Sequence, residues 1–185
     1  MFFIPGWLIA LLTFPGVMVH ELAHQFFCDL SHVPVYKVCY FQRGNPSGYV
    51  IHASTADLRA NLLISVGPLL VNTFLCAALA SPGMISVMLR AQHTPFVHFF
   101  LIWLGVSIGM HAIPSNQDIR NFVEALKQSR HAANRLMLGV AKVFSVFFLI
   151  ANLLRAVWLD FFYALLVAGL LPWIVTGISP LRVLE

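Results

Sequence analysis

The sequence predicts an all-α polytopic membrane protein with about five transmembrane helices and a small cytoplasmic β-hairpin between helices 1 and 2. Composition is the first reason: 59% of the 185 residues are hydrophobic and 10% are charged, against about 25% charged in soluble domains. The second reason is that five apolar stretches approach the roughly 20 residues that cross a bilayer. The third is a strand-like segment, rich in turn formers, between the first two stretches. The length fits a single domain, 1–185, with no appended soluble domain.

The apolar runs place the five predicted spans. They cover about 2–27, 60–80, 95–113, 136–158 and 161–178. The first span is expected to be a retained helix, because it lacks the basic start of a signal peptide. A short turn at residues 158–160 is expected to separate the last two spans.

Basic residues orient these spans. With five crossings, the side that holds the loops after spans 1 and 3 and the C-terminus carries eight lysines and arginines, whereas the opposite side carries Arg90 and Arg155. The eight are Lys37, Arg43, Arg59, Arg120, Lys127, Arg130, Arg135 and Arg182. The positive-inside rule then predicts a multi-pass protein of the cell membrane with its N-terminus outside and its C-terminus in the cytoplasm. The sequence contains no basic run of the kind that binds nucleic acid. The apolar composition makes the lipid bilayer the expected partner.

Two polar segments are expected outside the bilayer. Residues 35–41 and 49–52 are strand-like and flank a turn-rich stretch, 42–48, which predicts the β-hairpin. The hairpin either caps the helix ends or offers its edge to an extended peptide. Residues 120–134 are predicted to form an amphipathic helix at the cytoplasmic interface.

A polar pentapeptide, HELAH at 20–24, lies near the end of the first span. His20 and His24 are four residues apart, so a helix presents both imidazoles on one face to a single metal ion. Glu21 is then placed to activate a water molecule as a general base. Ionisable side chains at bilayer depth are costly and by default mark a functional site. The motif therefore predicts a Zn²⁺ site in which His20 and His24 are ligands.

The third zinc ligand is found by elimination. Asp118 lies just past the third span on the predicted cytoplasmic side, after Pro114, where a proline allows the backbone to turn towards the metal. An alternative role for Asp118 is the N-cap of the following helix. His111 is the rival ligand, whereas Asp160 is excluded because the predicted topology places it on the opposite side.

Asn72 is a polar side chain inside the second span, after Gly67 and Pro68. At this depth an asparagine can bridge helices. It can also hydrogen-bond a substrate carbonyl or a developing oxyanion, so it is a candidate substrate-binding residue.

Taken in order, these features resemble the site-2 protease family of intramembrane zinc metalloproteases. The resemblance rests on HELAH at 20–24, Gly48-Tyr49-Val50 in the hairpin, SVGPLLVN at 65–72, and the proline-then-aspartate segment at 114–118. It covers about 15–118, the catalytic core of the family, and leaves 136–178 as supporting helices. No glycine follows Asp118 and no extra domain is recognised, so the chain is similar to a minimal or divergent member.

The resemblance implies a function. His20, His24 and Asp118 would bind zinc, Glu21 would be the general base, and Asn72 would lie near the bound peptide. The hairpin edge would present the substrate strand. The expected activity is zinc-dependent hydrolysis of peptide bonds in or near the transmembrane segments of other membrane proteins.

Two other classes of function compete with this one. The first is a catalytically inactive member that binds membrane peptides as a regulator. The second is a metal transporter, which needs polar residues along a path across the whole bilayer. Apart from His98, the outer halves of the predicted helices are almost entirely apolar, which disfavours transport.

Overall fold

The computed structural model describes residues 5–55, 57–89, 93–128, 135–154 and 157–177. These ranges contain seven α-helices and one two-stranded antiparallel sheet. In chain order they are α1 (Gly6–Leu12), α2 (Phe14–Leu30), β1 (Val35–Cys39), β2 (Tyr49–His52), α3 (Leu58–Met88), α4 (Phe96–Gly109), α5 (Asn116–Gln128), α6 (Arg135–Leu154) and α7 (Leu159–Thr176). The predicted mostly helical class and the small hairpin are both confirmed.

The apolar helices support a membrane-associated protein. Within the described ranges, α3 and α7 are each long and apolar enough to cross a membrane, and the pair α1–α2 qualifies if it is taken as one bent span. Helix α4 is apolar but has only 14 residues. Two or three candidate spans are therefore found, and the five predicted from the sequence are not confirmed.

The predicted first span, 2–27, is broken at Thr13. Helices α1 and α2 meet there at 87°. The Thr13 hydroxyl donates to the Ile9 carbonyl at 2.7 Å, which closes α1. Pro15 lies in the first turn of α2. A straight helix would drive the Pro15 ring into the carbonyl of Leu11, so the chain bends before the proline.

Helix α3 is the centre of the bundle, and α2 and α4 pack against it in the opposite direction. Asn72 of α3 lies next to Gly16 of α2, and further back along α3 Ile64 lies next to His24. Close approach is possible because Gly16 has no side chain: a Cβ there would lie 2.0 Å from the Ser107 carbonyl oxygen of α4. Three helix segments therefore converge at this point.

Helices α6 and α7 follow α3 in the same direction, one after the other. The core contacts of α6 begin near Leu58 and reach Val66, through Ala141 and Phe148 respectively. Helix α7 contacts α3 further along, beyond Val66. Tyr163 is hydrogen-bonded to Thr73, and Ala168 belongs to the same apolar cluster as Ala80. Two successive crossings would require the chain to reverse its direction between α6 and α7. The turn before α7 does not reverse it, so this part of the prediction differs from the structure.

The hairpin prediction is confirmed with a shorter first strand. Strand β1 pairs with β2 antiparallel, with Val38 opposite Val50 and Cys39 opposite Tyr49. The segment leading into the hairpin is anchored by Val33, which is buried in one apolar cluster with Cys28 and Ile64. The hairpin is therefore attached to the ends of α2 and α3.

The polar end of the bundle is completed by α5. Its apolar face, Ile119, Phe122 and Leu126, packs against α3 and α6. The predicted amphipathic helix is thus present as far as Gln128, and positions 129–134 lie outside the described residues. The seven lysines and arginines in the described ranges all lie at this end, in the hairpin and at α3, α5 and the start of α6: Lys37, Arg43, Arg59, Arg120, Lys127, Arg135 and Lys142.

Candidate metal centre

Three side chains from two distant parts of the chain converge in the interior. The Nε2 atoms of His20 and His24 are 3.1 Å apart. One carboxylate oxygen of Asp118 lies 3.6 Å from His20 Nε2, and the other lies 3.4 Å from His24 Nε2. Within the described ranges this is the one group of three metal-ligating side chains, with ligand atoms within 4.8 Å of one another.

The spacing of these atoms suits a tetrahedral metal. Ligand atoms on tetrahedral zinc, with bonds of about 2.0–2.2 Å, lie about 3.3–3.6 Å apart. The three observed separations are close to that range. Two imidazoles and a carboxylate also leave the fourth position open, as catalytic zinc sites do. The residues present therefore fit zinc.

The histidine rings are held so that both Nε2 atoms face the centre. His20 Nδ1 donates to the His111 carbonyl at 2.6 Å, and His24 Nδ1 donates to the Ile64 carbonyl at 3.0 Å. Both Nδ1 atoms therefore carry the proton, and in the neutral rings no proton lies between the two Nε2 atoms. Two lone pairs at this distance repel each other unless a cation lies beside them. Backbone carbonyls that fix the tautomer are a common outer shell for metal-bound histidines.

Asp118 is positioned by the start of α5. The Ser115 N–H donates to Asp118 Oδ2 at 2.8 Å, and the Asp118 N–H donates to the Ser115 hydroxyl at 3.3 Å. This reciprocal pair is a capping box with the serine as N-cap, so Asp118 lies in the first helical turn and is not itself the N-cap. Burial opposes the charge on Asp118, whereas positive charge on the facing His24 and His20 rings, present only when these rings are protonated, holds the pKa of its carboxyl well below its ordinary value.

His111, the rival ligand, does not join this group. Its Nε2 donates to the Thr13 hydroxyl, 2.8 Å away, at the bend between α1 and α2. Its backbone carbonyl accepts the His20 Nδ1–H instead. His111 therefore supports the centre through its backbone, while its ring contacts the bend.

Asn72 is fully buried and bridges helices. Its amide nitrogen donates to the carbonyls of Ile108 and His111, each at 3.1 Å. The His111 carbonyl thus receives hydrogen bonds from both His20 and Asn72. Asn72 is not among the residues that line the two cavities described below, so its contacts match the helix-bridging role. Contact with a substrate stays a prediction.

Two cavities meet at Glu21. The larger, of about 870 Å³, is bordered by His20 and Glu21, by α1 and by the hairpin loop 41–48. The smaller, of about 110 Å³, is bordered by Glu21, His24 and Asp118 and has room for several water molecules. Glu21 is 8% exposed and lies outside the group of three ligand atoms. Its carboxylate therefore borders both the larger cavity, which has the size of a ligand site, and the smaller polar cavity, which can hold water.

The larger cavity changes the reason for one exclusion made from the sequence, since Asp160 is not among the three converging ligands, as expected. Asp160, assigned to the opposite side by the predicted topology, borders the same cavity as His20 and Glu21. The physical reason is the direction of α7: its first turn lies at the level of the metal centre because α6 does not carry the chain across.

Ser115 is the supporting residue that sequence reasoning missed. The spacing of Ser115 and Asp118 is that of a capping box, a signal visible in the sequence. The contact between Thr13 and His111 has no such local signal, because the two residues meet only in the folded chain.

Comparison of the chain with protein-family models, with curated proteins and with solved structures finds no match.

Proposed function

We propose that this protein is a membrane-embedded zinc endopeptidase of the site-2 protease type, which hydrolyses peptide bonds in or near transmembrane segments of other membrane proteins. One observation carries the proposal: two histidines with both Nδ1 atoms bonded to carbonyls and an aspartate aim their ligand atoms at one point. A buried glutamate and a ligand-sized cavity lie directly beside that point.

Each residue has a defined task in this reaction. When bound, zinc acts as a Lewis acid that makes water a strong nucleophile at neutral pH. Glu21 accepts a proton from the attacking water and returns it to the leaving nitrogen. His111 and Ile64 hold the two imidazoles through their carbonyls, and Ser115 holds Asp118.

The larger cavity is suited to a peptide substrate. Helix α1 turns away from α2 by 87°, and Trp7 and Ile9 border the space that this bend opens. On the other side the hairpin loop contributes Phe41 and Arg43. A substrate segment entering between α1 and the loop would have the apolar side chains of α1 on one side, the largely polar loop on the other, and the metal centre at the end.

Gly48 provides a test of how Glu21 is positioned. A Cβ at residue 48 would lie 2.7 Å from Glu21 Cγ and 2.9 Å from its Oε1. The Gly48→Ala variant must therefore displace the Glu21 carboxylate, and a displacement of about 1 Å can slow catalysis by about 100-fold. We expect initial cleavage rates to fall by that order while zinc content is unchanged. The control is Gly44→Ala, where an added Cβ meets no atom within 4 Å; equal rates in both variants would contradict the account.

The proposed topology has the metal centre towards the cytoplasm. The clustering of the seven described basic residues at the metal end supports this orientation. We propose four crossings, which the packing directions support: the bent α1–α2 pair, α3, α4 and α7, with α5 and α6 at the cytoplasmic surface. The N-terminus is then outside, as the sequence predicts, but α7 ends outside as well.

Cysteine accessibility distinguishes this topology from five crossings. In a variant without the three native cysteines, we expect Thr176→Cys to react with a membrane-impermeant maleimide added to intact cells. Ser54→Cys, in the exposed segment after β2, should react only after permeabilisation. Labelling of both positions only after permeabilisation would support a cytoplasmic end for α7.

The activity itself is tested by reconstitution. The purified protein is placed in liposomes with a library of tagged single-span membrane proteins, and products are identified by mass spectrometry. We expect cleavage within or next to the membrane segment, loss of cleavage with a zinc chelator, and recovery when zinc is restored. A zinc-loaded protein that binds members of the library and cuts none would instead support the peptide-binding regulator.

A further inference from the structure

Asp160 is an acidic residue that the proposed mechanism does not use. It lies in the first turn of α7, is 5% exposed, and borders the 870 Å³ cavity together with His20 and Glu21. It is not one of the three converging ligands. A carboxylate is costly to bury at this depth, so a residue of this kind calls for a function.

The helix around Asp160 is firmly held. Tyr163, one turn further along α7, hydrogen-bonds Thr73 through its hydroxyl, and Ala164 accepts a contact from the Cys76 thiol through its carbonyl oxygen. Asp160 also interacts with its protein surroundings. The helix segment that carries Asp160 is therefore a fixed part of the cavity wall, as the position of a specificity-determining group must be.

The other ionisable groups that border this cavity divide into two sets. His20 and Glu21 belong to the metal centre, and the His111 ring bonds the bend at Thr13. Arg43 lies on the exposed hairpin loop, where water screens its charge. Among the described residues on the cavity wall, Asp160 is thus the one buried acid outside the reacting group.

We propose that Asp160 makes the cavity selective for a substrate with a basic side chain, lysine or arginine, near the bond that is cut. This inference rests on the proposed function and adds the chemical class of the substrate. A buried carboxylate is stabilised by an adjacent cation, and an ammonium or guanidinium group beside it is stabilised in turn. An acidic side chain at that position is rejected, because two like charges would be buried together.

Peptide hydroxamates that are not cleaved test this selectivity without a natural substrate. Short apolar hydroxamates carry lysine, norleucine or glutamate at one position, which is moved stepwise along the peptide. Their dissociation constants are measured by calorimetry on the zinc-loaded full-length protein in detergent. We expect one position at which lysine binds about tenfold more tightly than norleucine, with glutamate weaker than both.

Variants assign the preference to Asp160. In Asp160→Asn the preference for lysine over norleucine should vanish, because lysine loses the adjacent carboxylate, and in Asp160→Glu it should return. Asp29→Asn, at an exposed position on α2, is the matched control and should keep the wild-type preference.

Each outcome decides between the two claims. If norleucine hydroxamates bind the wild-type protein and lysine gives no advantage at any position, the inference is wrong and the proposed function stands. The same conclusion follows if the preference survives in Asp160→Asn. If that variant does not fold, the wild-type comparison of the three side chains still decides. If no hydroxamate binds the zinc-loaded protein, the proposed function fails and the inference fails with it.

Discussion

The Glu21→Gln variant is expected to keep its zinc and to lose peptide hydrolysis by about 10²- to 10⁴-fold, the contribution of a positioned general base. Glutamine has almost the same shape as glutamate but cannot take a proton from water. Glu21 is buried and lies outside the ligand group, so the substitution should leave the metal centre intact.

Rates and metal content must be measured on the same samples. Initial cleavage rates are compared at saturating substrate, and zinc is determined in parallel by mass spectrometry. Glu124→Gln, on the exposed side of α5, is the matched control and should be as active as the wild type. A Glu21→Gln variant that still cleaves at a rate close to the wild type would exclude Glu21 as the base.

Removal of a ligand should produce the second large effect. We expect His24→Ala and Asp118→Ala each to weaken zinc binding by more than about 100-fold, because even loss of an outer-shell partner costs 10- to 100-fold. Zinc affinity is measured by competition with a chelator of known affinity. Both variants should also lose the zinc-dependent increase in melting temperature that binding to the folded state produces.

Two histidine variants serve as controls for this experiment. His93→Ala, at an exposed position, should bind zinc normally. His111→Ala should also retain zinc, because its ring bonds Thr13 and only its backbone carbonyl contacts His20. If His111→Ala loses zinc and Asp118→Ala retains it, then His111 and not Asp118 is the third ligand.

The parts of the fold that follow from local sequence could be predicted. The hairpin is predicted by β-branched residues on both sides of a turn-rich loop, and its two strands pair antiparallel as expected. The break at Thr13 could not be placed, because Pro15 is equally compatible with the first turn of a new helix and with a kink. Helix α7 was predicted with the correct length. The apolar composition of a segment, however, does not show whether the helix runs parallel or antiparallel to its neighbours. Its packing along α3 through Tyr163 and Thr73 is a tertiary contact.

The candidate site divides in the same way. His20 and His24 are neighbours on one helix, so their convergence follows from helical spacing alone. Asp118 was reached by elimination, and the structure brings it to the two histidines through the capping box with Ser115. Asp160 is not among the three ligands, as expected, but it was placed on the opposite side, whereas in the structure it borders the same cavity as His20 and Glu21.

The central claim is that His20, His24 and Asp118 hold one zinc ion. X-ray absorption at the zinc edge, on the purified wild-type protein with its zinc content measured, tests it most directly. The account predicts about one zinc per chain, bound by two imidazoles and oxygen at about 2.0–2.2 Å, with no sulfur ligand. A protein that takes up no zinc when it is supplied, or a spectrum dominated by thiolate at about 2.3 Å, would contradict it.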